Sequence, residues 1–287
     1  MTSKNLPASP PCPTQSECDK AEASTPMIER CIKGPQCAIS MTASEERCGQ
    51  IPLLFVHADP GQASQWRELF ARFCSRRQVV AFDARGHGAS DAPANGDYSY
   101  AGRAQDICAV ADAMHLQQFI LVAHSAGSAT ALRYAAANPN KVAGLILLDP
   151  PSDPRAIPQP IQTQMDAALK GPDNRAYLRN YLHSIAGDNA DTVALVLADS
   201  ESIEMQTFIA MTGALLAWNP EPNLASYTKP MLILSSEAGD TPSSLRWLKP
   251  NAAFRVIYGS GHWLQMDQPE ATALEMEQFL NELDPQG

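Results

Sequence analysis

The 287-residue sequence predicts an α/β protein: a mostly parallel, twisted sheet flanked by helices, with a helical cap inserted after the sixth strand. Three observations carry this. Short apolar runs alternate with amphipathic stretches over most of the chain. The alternation stops near residue 151 and resumes near 229. In "FILVAHSAGSATAL", Phe119 to Leu132, a serine stands between an apolar run and an alanine-rich helix, with small residues on both sides.

The elements follow in order. Residues 1–25 are rich in Pro, Ser and Thr and lack an apolar period, so they read as a disordered or loosely packed arm. "MIERCI" and "CAISMTA" flank the turn-forming "KGPQ" and predict an edge hairpin. "IPLLFVHA" (51–58) is apolar throughout, as a strand buried on both faces must be. "SQWRELFARFCSR" (64–76) repeats Trp66, Leu69, Phe70 and Phe73 at helical spacing, and "QVVAFDAR" (78–85) is the next strand. A helix over 100–115 buries Ile107, Val110, Ala111 and Met114. Strand 118–124, a helix over 125–139 ended by Asn138 and Pro139, and strand 142–149 follow.

From 151 to 228 the pattern is only helical. Strand 231–237, a short helix near 242–248, strand 252–259 and a helix over 271–283 complete the chain. The expected division is therefore an arm (1–25), a core (26–150 and 229–287) and a cap (151–228) lying over the strands' carboxyl ends, where open α/β sheets bind ligands.

Composition narrows the partners. The formal net charge of -10 argues against nucleic acid and anionic membrane surfaces. No apolar run approaches the ~18 residues of a membrane span. The first twenty residues lack the apolar core of a secretory signal, so a cytoplasmic location is expected. Seven cysteines, an odd number, include five in the first 48 residues (Cys12, Cys18, Cys31, Cys37, Cys48). Their spacing fits no zinc site, and they read as free thiols, with a local disulfide as the rival. Nothing in the sequence sets the oligomeric state.

The chemistry centres on Ser125. A strand delivers the chain to His124 and a helix leaves from Ser125, the setting a nucleophile elbow needs. A helix N-cap alone would not require Ala123, Ala126 and Gly127 together. The helix N-terminus supplies unpaired N–H groups, and that of Ala126 can face a developing oxyanion. A serine hydroxyl needs a base. Among six histidines, His262 in "YGSGHWLQMDQPE" follows the last strand on a glycine-bearing loop that could reach the same edge.

Four stretches in order resemble an α/β-hydrolase-fold serine hydrolase of the esterase/lipase type with a helical cap, over about residues 28–283. "FVHADPGQASQW" resembles the His-Gly-x-Pro oxyanion loop and "FDARGHGAS" the Asp-x-Arg-Gly-His-Gly-x-Ser loop. "AHSAGS" resembles the Gly-x-Ser-x-Gly elbow and "GSGHWLQMDQPE" the Gly-His loop. The resemblance implies a Ser125–His262 pair with an acid after the strand that follows the cap. Asp240 is the expected acid, with Asp149 and Glu237 as alternatives. It also implies oxyanion donors at the backbone N–H groups of Asp59 and Ala126, with Arg85 and His87 in structural roles.

Two departures stand out: Ala58 replaces the family's glycine, and residue 59 is acidic. Asp59 reads either as a loop cap or as a substrate contact. Phe208, Trp218 and Trp263 are the candidate pocket residues, and with no basic cluster to clamp an anion they suit an apolar group. The expectation is a cofactor-free, metal-free hydrolase of small to medium apolar carboxylic esters. The rivals are C–C bond or lactone hydrolysis, perhydrolysis, and a non-catalytic ligand-binding protein on the same fold.

Overall fold

The computed structural model describes residues 27–45 and 49–284. Eight strands form one sheet: β1 (Ile28–Lys33), β2 (Ala38–Ala43), β3 (Leu53–Val56), β4 (Val79–Phe82), β5 (Phe119–His124), β6 (Val142–Leu148), β7 (Met231–Ser236) and β8 (Ala253–Ile257). Their spatial order is β1-β2-β4-β3-β5-β6-β7-β8. The β1–β2 and β2–β4 pairs are antiparallel and the other pairs parallel.

The helices before the sixth strand are α1 (Arg67–Phe73), α2 (Tyr100–Ala113) and α3 (Ala126–Ala137). Between β6 and β7 come α4 (Gln159–Lys170), α5 (Asn174–Ile185), α6 (Ala190–Ser202), α7 (Met205–Leu216) and α8 (Glu221–Ser226). The chain closes with α9 (Leu245–Leu248), α10 (Leu264–Asp267) and α11 (Pro269–Leu283). Among the described residues no helix is long and apolar enough to cross a membrane.

The two faces of the sheet sort by the period of two along each strand. Leu54, Val56, Leu121, Ala123, Leu145 and Leu147 face the layer that holds α2 and α3. Leu53, Phe55, Ile120, Val122, Ile146 and Leu148 face the layer that holds α1 and α11. Each Val, Leu, Ile and Phe among these stabilises the fold by roughly 1.5–3 kcal/mol on burial. A third cluster joins Leu169, Leu178, Leu182, Val196, Phe208 and Met211 of the inserted helices to Tyr98 and Trp263. Side-chain caps start two of the helices. Ser99 Oγ accepts the Gly102 N–H at α2, and Asn189 Oδ1 accepts the Asp191 and Thr192 N–H groups at α6.

Some boundaries differ from the sequence reading. The helix expected over 64–76 opens as a 3-10 turn, Ala63–Trp66, before α1. The helix expected near 242–248 is the single turn α9. Ser244 spends its hydroxyl on the Thr241 N–H (2.6 Å) and the Gly239 carbonyl (2.9 Å), which closes a tight turn ahead of it. At the far end of the helical block, Leu224 and Tyr227 join the core beneath α3. Cys31 and Cys37 are free thiols. The N-terminal arm, with Cys12 and Cys18, and also Cys48, lie outside the described residues.

Candidate active site

The strand order reverses between β3 and β5, whose outer neighbours are β4 and β6. Such a switch point opens a crevice at the carboxyl ends of the strands. The chain places the loop after β3 and the turn after β5 there, and these carry Asp59 and Ser125.

Ser125 has φ 49° and ψ -128°, a left-handed conformation that costs a non-glycine residue about 1–3 kcal/mol. Its position is fixed by a hydrogen bond from its N–H to the Leu148 carbonyl (3.0 Å) and by the Ser128 N–H on its own carbonyl (2.8 Å). Although Ser125 is the N-cap of α3, its side chain makes no capping hydrogen bond. The hydroxyl therefore does not serve as a helix cap. Gly127 explains the small residues: a Cβ there would collide with the backbone carbonyl of His57 and stand 2.8 Å from that of Val56.

The neighbouring strand ends in a carboxylate that binds His262. Asp149 directly follows β6 and also holds a left-handed φ, 39°, tied by its N–H to the Leu234 carbonyl (2.7 Å). Its Oδ2 accepts the His262 Nδ1–H at 2.6 Å. Its Oδ1 accepts the Ser236 N–H (2.8 Å), and the Ser235 and Ser236 hydroxyls lie within 3.1 Å. Burial opposes ionisation, but the His262 hydrogen bond and charge, the Ser236 N–H and His124 together hold the carboxyl below its usual range. Asp149 is therefore a carboxylate, an acceptor only, and the proton of the imidazole sits on Nδ1. That leaves Nε2 of His262 as the basic nitrogen.

This corrects the expectation for the acid. Asp240 does not serve His262; its Oδ1 pairs with Arg246 Nε at 2.6 Å. Glu237 accepts the Gly259 N–H at 3.4 Å on the exposed rim. The loop after β7 instead supports Asp149 from behind. Ser236 Oγ also accepts the Gly239 N–H (2.9 Å), and a Cβ at Gly239 would collide with Asp149 Oδ1. Gly239 thus leaves room for the Asp149 carboxylate.

Ser125, Ala126 and Asp59 line one cavity of about 80 Å³. The carboxylate of Asp59 turns to Arg103 of α2, in a two-pronged pair at 2.6 and 2.7 Å with the side chains 6% and 1% exposed. Burial opposes its charge, and the Arg103 charge and its two hydrogen bonds more than offset this and keep it ionised. The acidic departure is thus neutralised internally. His57 braces the same loop, with Nδ1–H donating to the Ala58 carbonyl (2.7 Å) and Nε2 accepting the Ala84 N–H (2.8 Å). Arg85 is wholly buried and held by Asp106 (2.6 and 2.7 Å), a structural pair.

The rest of the cavity comes from the inserted helices: Met165, Leu169, Tyr177, Leu178, Tyr181, Phe208, Met211, Thr212 and Leu215. Of the expected pocket residues only Phe208 lies on this lining. Trp218 packs edge-on against Tyr100 (6.0 Å) in the core under α3. Trp263 lies edge-on to the His262 ring (5.0 Å) and donates its Nε1–H to Gln65 Oε1 at 3.3 Å.

Sequence reasoning missed the residues that hold these groups. His124 Nε2–H donates to the His262 carbonyl (2.8 Å), and its Nδ1 faces Gln265 Nε2 (3.3 Å), so the residue before the serine holds the histidine loop. Burial, then the nearby His262, pushes His124 down to about 3, so it stays neutral. The His262 N–H donates to the Ile185 carbonyl at the end of α5 (2.9 Å). Asp199 of α6 accepts from Gln62 (2.5 Å) and Gln65 (2.7 Å), which pins the inserted helices to the segment after Asp59. The signal was a polar residue ending an otherwise apolar strand: buried, His124 had to find partners.

A serine on a strained strand-to-helix turn at a topological switch point, with the residue before it, His124, 4.8 Å ring to ring from a carboxylate-bound imidazole, is the arrangement of an α/β hydrolase. The sequence model of the Alpha/beta hydrolase family matches residues 53–275, and the chain belongs to that family. Membership supports an enzyme of the hydrolase type. The chain is 24% identical over 263 residues to 2-(acetamidomethylene)succinate hydrolase of Mesorhizobium japonicum, covering 85% of this chain and 92% of that protein. It is 28% identical over 238 residues to 2-hydroxymuconate semialdehyde hydrolase of Pseudomonas putida, covering 74% and 80%. Among solved structures, a thermophilic esterase from Thermogutta terrifontis superposes with a TM-score of 0.78 at 18% identity, covering 90% of this chain and all (100%) of that one.

Proposed function

We propose that the protein is a serine hydrolase of neutral carboxylic esters with small to medium apolar groups, using Ser125, His262 and Asp149. The observation that carries the reading is the 2.6 Å hydrogen bond from His262 to Asp149, on the strand next to the one that ends at Ser125. His262 Nε2 takes the Ser125 proton as Oγ attacks the acyl carbon. The N–H groups of Ala126 and Asp59 receive the oxyanion. His262 then returns its proton to the alcohol oxygen as the C–O bond breaks, and a water activated by the same imidazole releases the acid.

The cavity lining supports a neutral substrate. It contains no cationic side chain, and its one carboxylate is already bound to Arg103. The two relatives above carry the names of carboxylate substrates, succinate and muconate, which a site of this lining would have to bind without a counter-charge.

The test is labelling with a fluorophosphonate, read as intact mass, with Ser125→Ala as control. One adduct that the variant lacks, followed by turnover of short neutral esters, is the expected result. No adduct on the folded protein, with a small phosphonate tried as well, overturns the hydrolase reading and leaves ligand binding under the helices.

A further inference from the structure

The segment that carries His262 is fastened to the inserted helices at two points. Its backbone is one: the His262 N–H donates to the Ile185 carbonyl at the end of α5 (2.9 Å). The other is a buried chain of side-chain hydrogen bonds. Trp263 Nε1–H donates to Gln65 Oε1 (3.3 Å), Gln65 Nε2–H donates to Asp199 Oδ2 of α6 (2.7 Å), and Gln62 Nε2–H donates to Asp199 Oδ1 (2.5 Å). Trp263 is 1% exposed, Gln65 2% and Asp199 7%. Among the described residues Asp199 has no cationic partner, so amide N–H groups hold its carboxyl.

The chain has a direction. An indole nitrogen only donates, so it fixes the oxygen of the Gln65 amide towards Trp263 and the nitrogen towards α6. Turning the amide over would set N–H against N–H at one end and oxygen against carboxyl oxygen at the other, which leaves buried polar groups without partners. Gln65 is therefore held in this orientation by an acceptor at position 199. The indole it orients stands edge-on to the His262 ring, 5.0 Å between centroids. The same indole lies in one apolar cluster with Leu178 and Leu182 of α5 and Val196 of α6. Asp149 holds the imidazole at Nδ1, and the indole packs against its ring.

We propose that Gln65 and Asp199 are positioning residues for His262: Asp199 holds the Gln65 amide, Gln65 holds the Trp263 indole, and the indole sets the imidazole. Seating of the inserted helices and placing of the base are then one event. This rests on the serine-hydrolase reading above. Neither residue lines the Ser125 cavity, so both act through Trp263. The covalent steps are unchanged: the Ser125 Oγ–acyl bond forms, the alkoxy C–O bond breaks, and the proton moves from Ser125 through His262 to the alcohol. The role shows most in the last of these. Methoxide needs that proton to leave, and 4-nitrophenolate does not. A loss of folded protein, or of an oxyanion N–H, lowers cleavage of both kinds of ester equally.

The test compares methyl butanoate with 4-nitrophenyl butanoate at pH 8. Wild type, Asp199→Leu, Asp199→Asn and the exchanged pair Gln65→Glu with Asp199→Asn are assayed, with urea unfolding and fluorophosphonate labelling of Ser125 run on each. Asp199→Leu is expected to lower kcat/KM on the order of 100-fold for the methyl ester and only about tenfold for the nitrophenyl ester. The other two keep the chain closed and are expected within about threefold of wild type on both esters. In Asp199→Asn the amide oxygen accepts Gln65 while the partly exposed Gln62 turns over; in the exchanged pair the carboxylate at 65 accepts both the indole and the amide at 199. Equal losses on the two esters, no loss in Asp199→Leu, or either closed-chain variant falling as far as Asp199→Leu overturns the positioning role and leaves the triad standing. If Asp199→Leu does not fold, Gln65→Glu alone sets two carboxyl groups against each other and is read in its place. If both esters are inert but Ser125 labels, the labelling rate is read instead, and a rate unchanged in Asp199→Leu overturns the role. A wild type whose Ser125 does not label overturns the hydrolase reading, and the positioning role falls with it.

Discussion

Replacing Arg103 with methionine tests how the Asp59 loop is held. The substitution keeps length and removes charge, leaving the Asp59 carboxylate buried beside the nucleophile without its partner. Both side chains are nearly sealed from water, 1% and 6% exposed, so the discount that applies to surface ion pairs does not apply. Breaking a buried pair by removing one partner costs about 3–5 kcal/mol. The loss depends on pH in a definite direction. Without Arg103, burial dominates and the folded-state pKa of Asp59 rises above its unfolded value of about 3.9. The native variant then gains a proton as pH falls, so the deficit is largest at high pH and shrinks towards pH 5.

Urea unfolding of Arg103→Met at pH 8 and pH 5, with Asp59→Asn and the double variant, reads all of this. The double variant is expected to recover about 2 kcal/mol or more of the summed single losses. Loss of the Asp59 N–H from its place would also lower kcat by about 10²–10³. A single variant within about 0.5 kcal/mol of wild type, or strict additivity in the double, would refute the reasoning.

Two further outcomes follow. In Gly239→Ala the new Cβ collides with Asp149 Oδ1, so kcat is expected to fall about 100-fold while the protein stays folded; unchanged kcat would mean that the carboxylate does not depend on this loop. His57, His87 and His124 are buried and neutral. Burial foremost lowers all three, with His87 and His124 at about 3, below the unfolded value of about 6.5. The contribution of His87 and His124 to stability is complete above about pH 6.5 and is lost as pH falls towards about 3, at about 1.4 kcal/mol per pH unit for each ring, and His57 acts in the same direction. Urea midpoints measured from pH 7.5 to 4.5 should fall steadily, and a flat profile would contradict this account.

The fold was legible because, from β3 onward, each strand is short, mostly apolar and followed by a helical stretch, so the sheet and its layers follow from spacing. Ser125 and His262 stood out because small residues adjoin them, Ala126 and Gly127 after the serine and Gly261 before the histidine, at element ends. The acid was not. β6 and β7 are adjacent, and the loops after both reach the histidine side, so one sequence offers three carboxylates for one imidazole. Only the turn at Gly239 and the hydroxyls of Ser235 and Ser236 decide among them, and their geometry is tertiary. Trp218 and Phe208 show the same limit: spacing says a side chain is buried but not under which layer. Arg103 left a readable sign, a cation four residues before Ile107 and seven before Val110 on a buried helix face, which demands a buried anion.

The central claim is that Asp149, not Asp240, orients His262. The most direct measurement is kcat on a turned-over ester for Asp149→Asn beside Asp240→Asn. The account predicts a loss on the order of 10⁴ for Asp149→Asn, since the amide would favour the wrong tautomer of the imidazole, and a change within about threefold for Asp240→Asn. A collapse of Asp240→Asn with Asp149→Asn still active would contradict it.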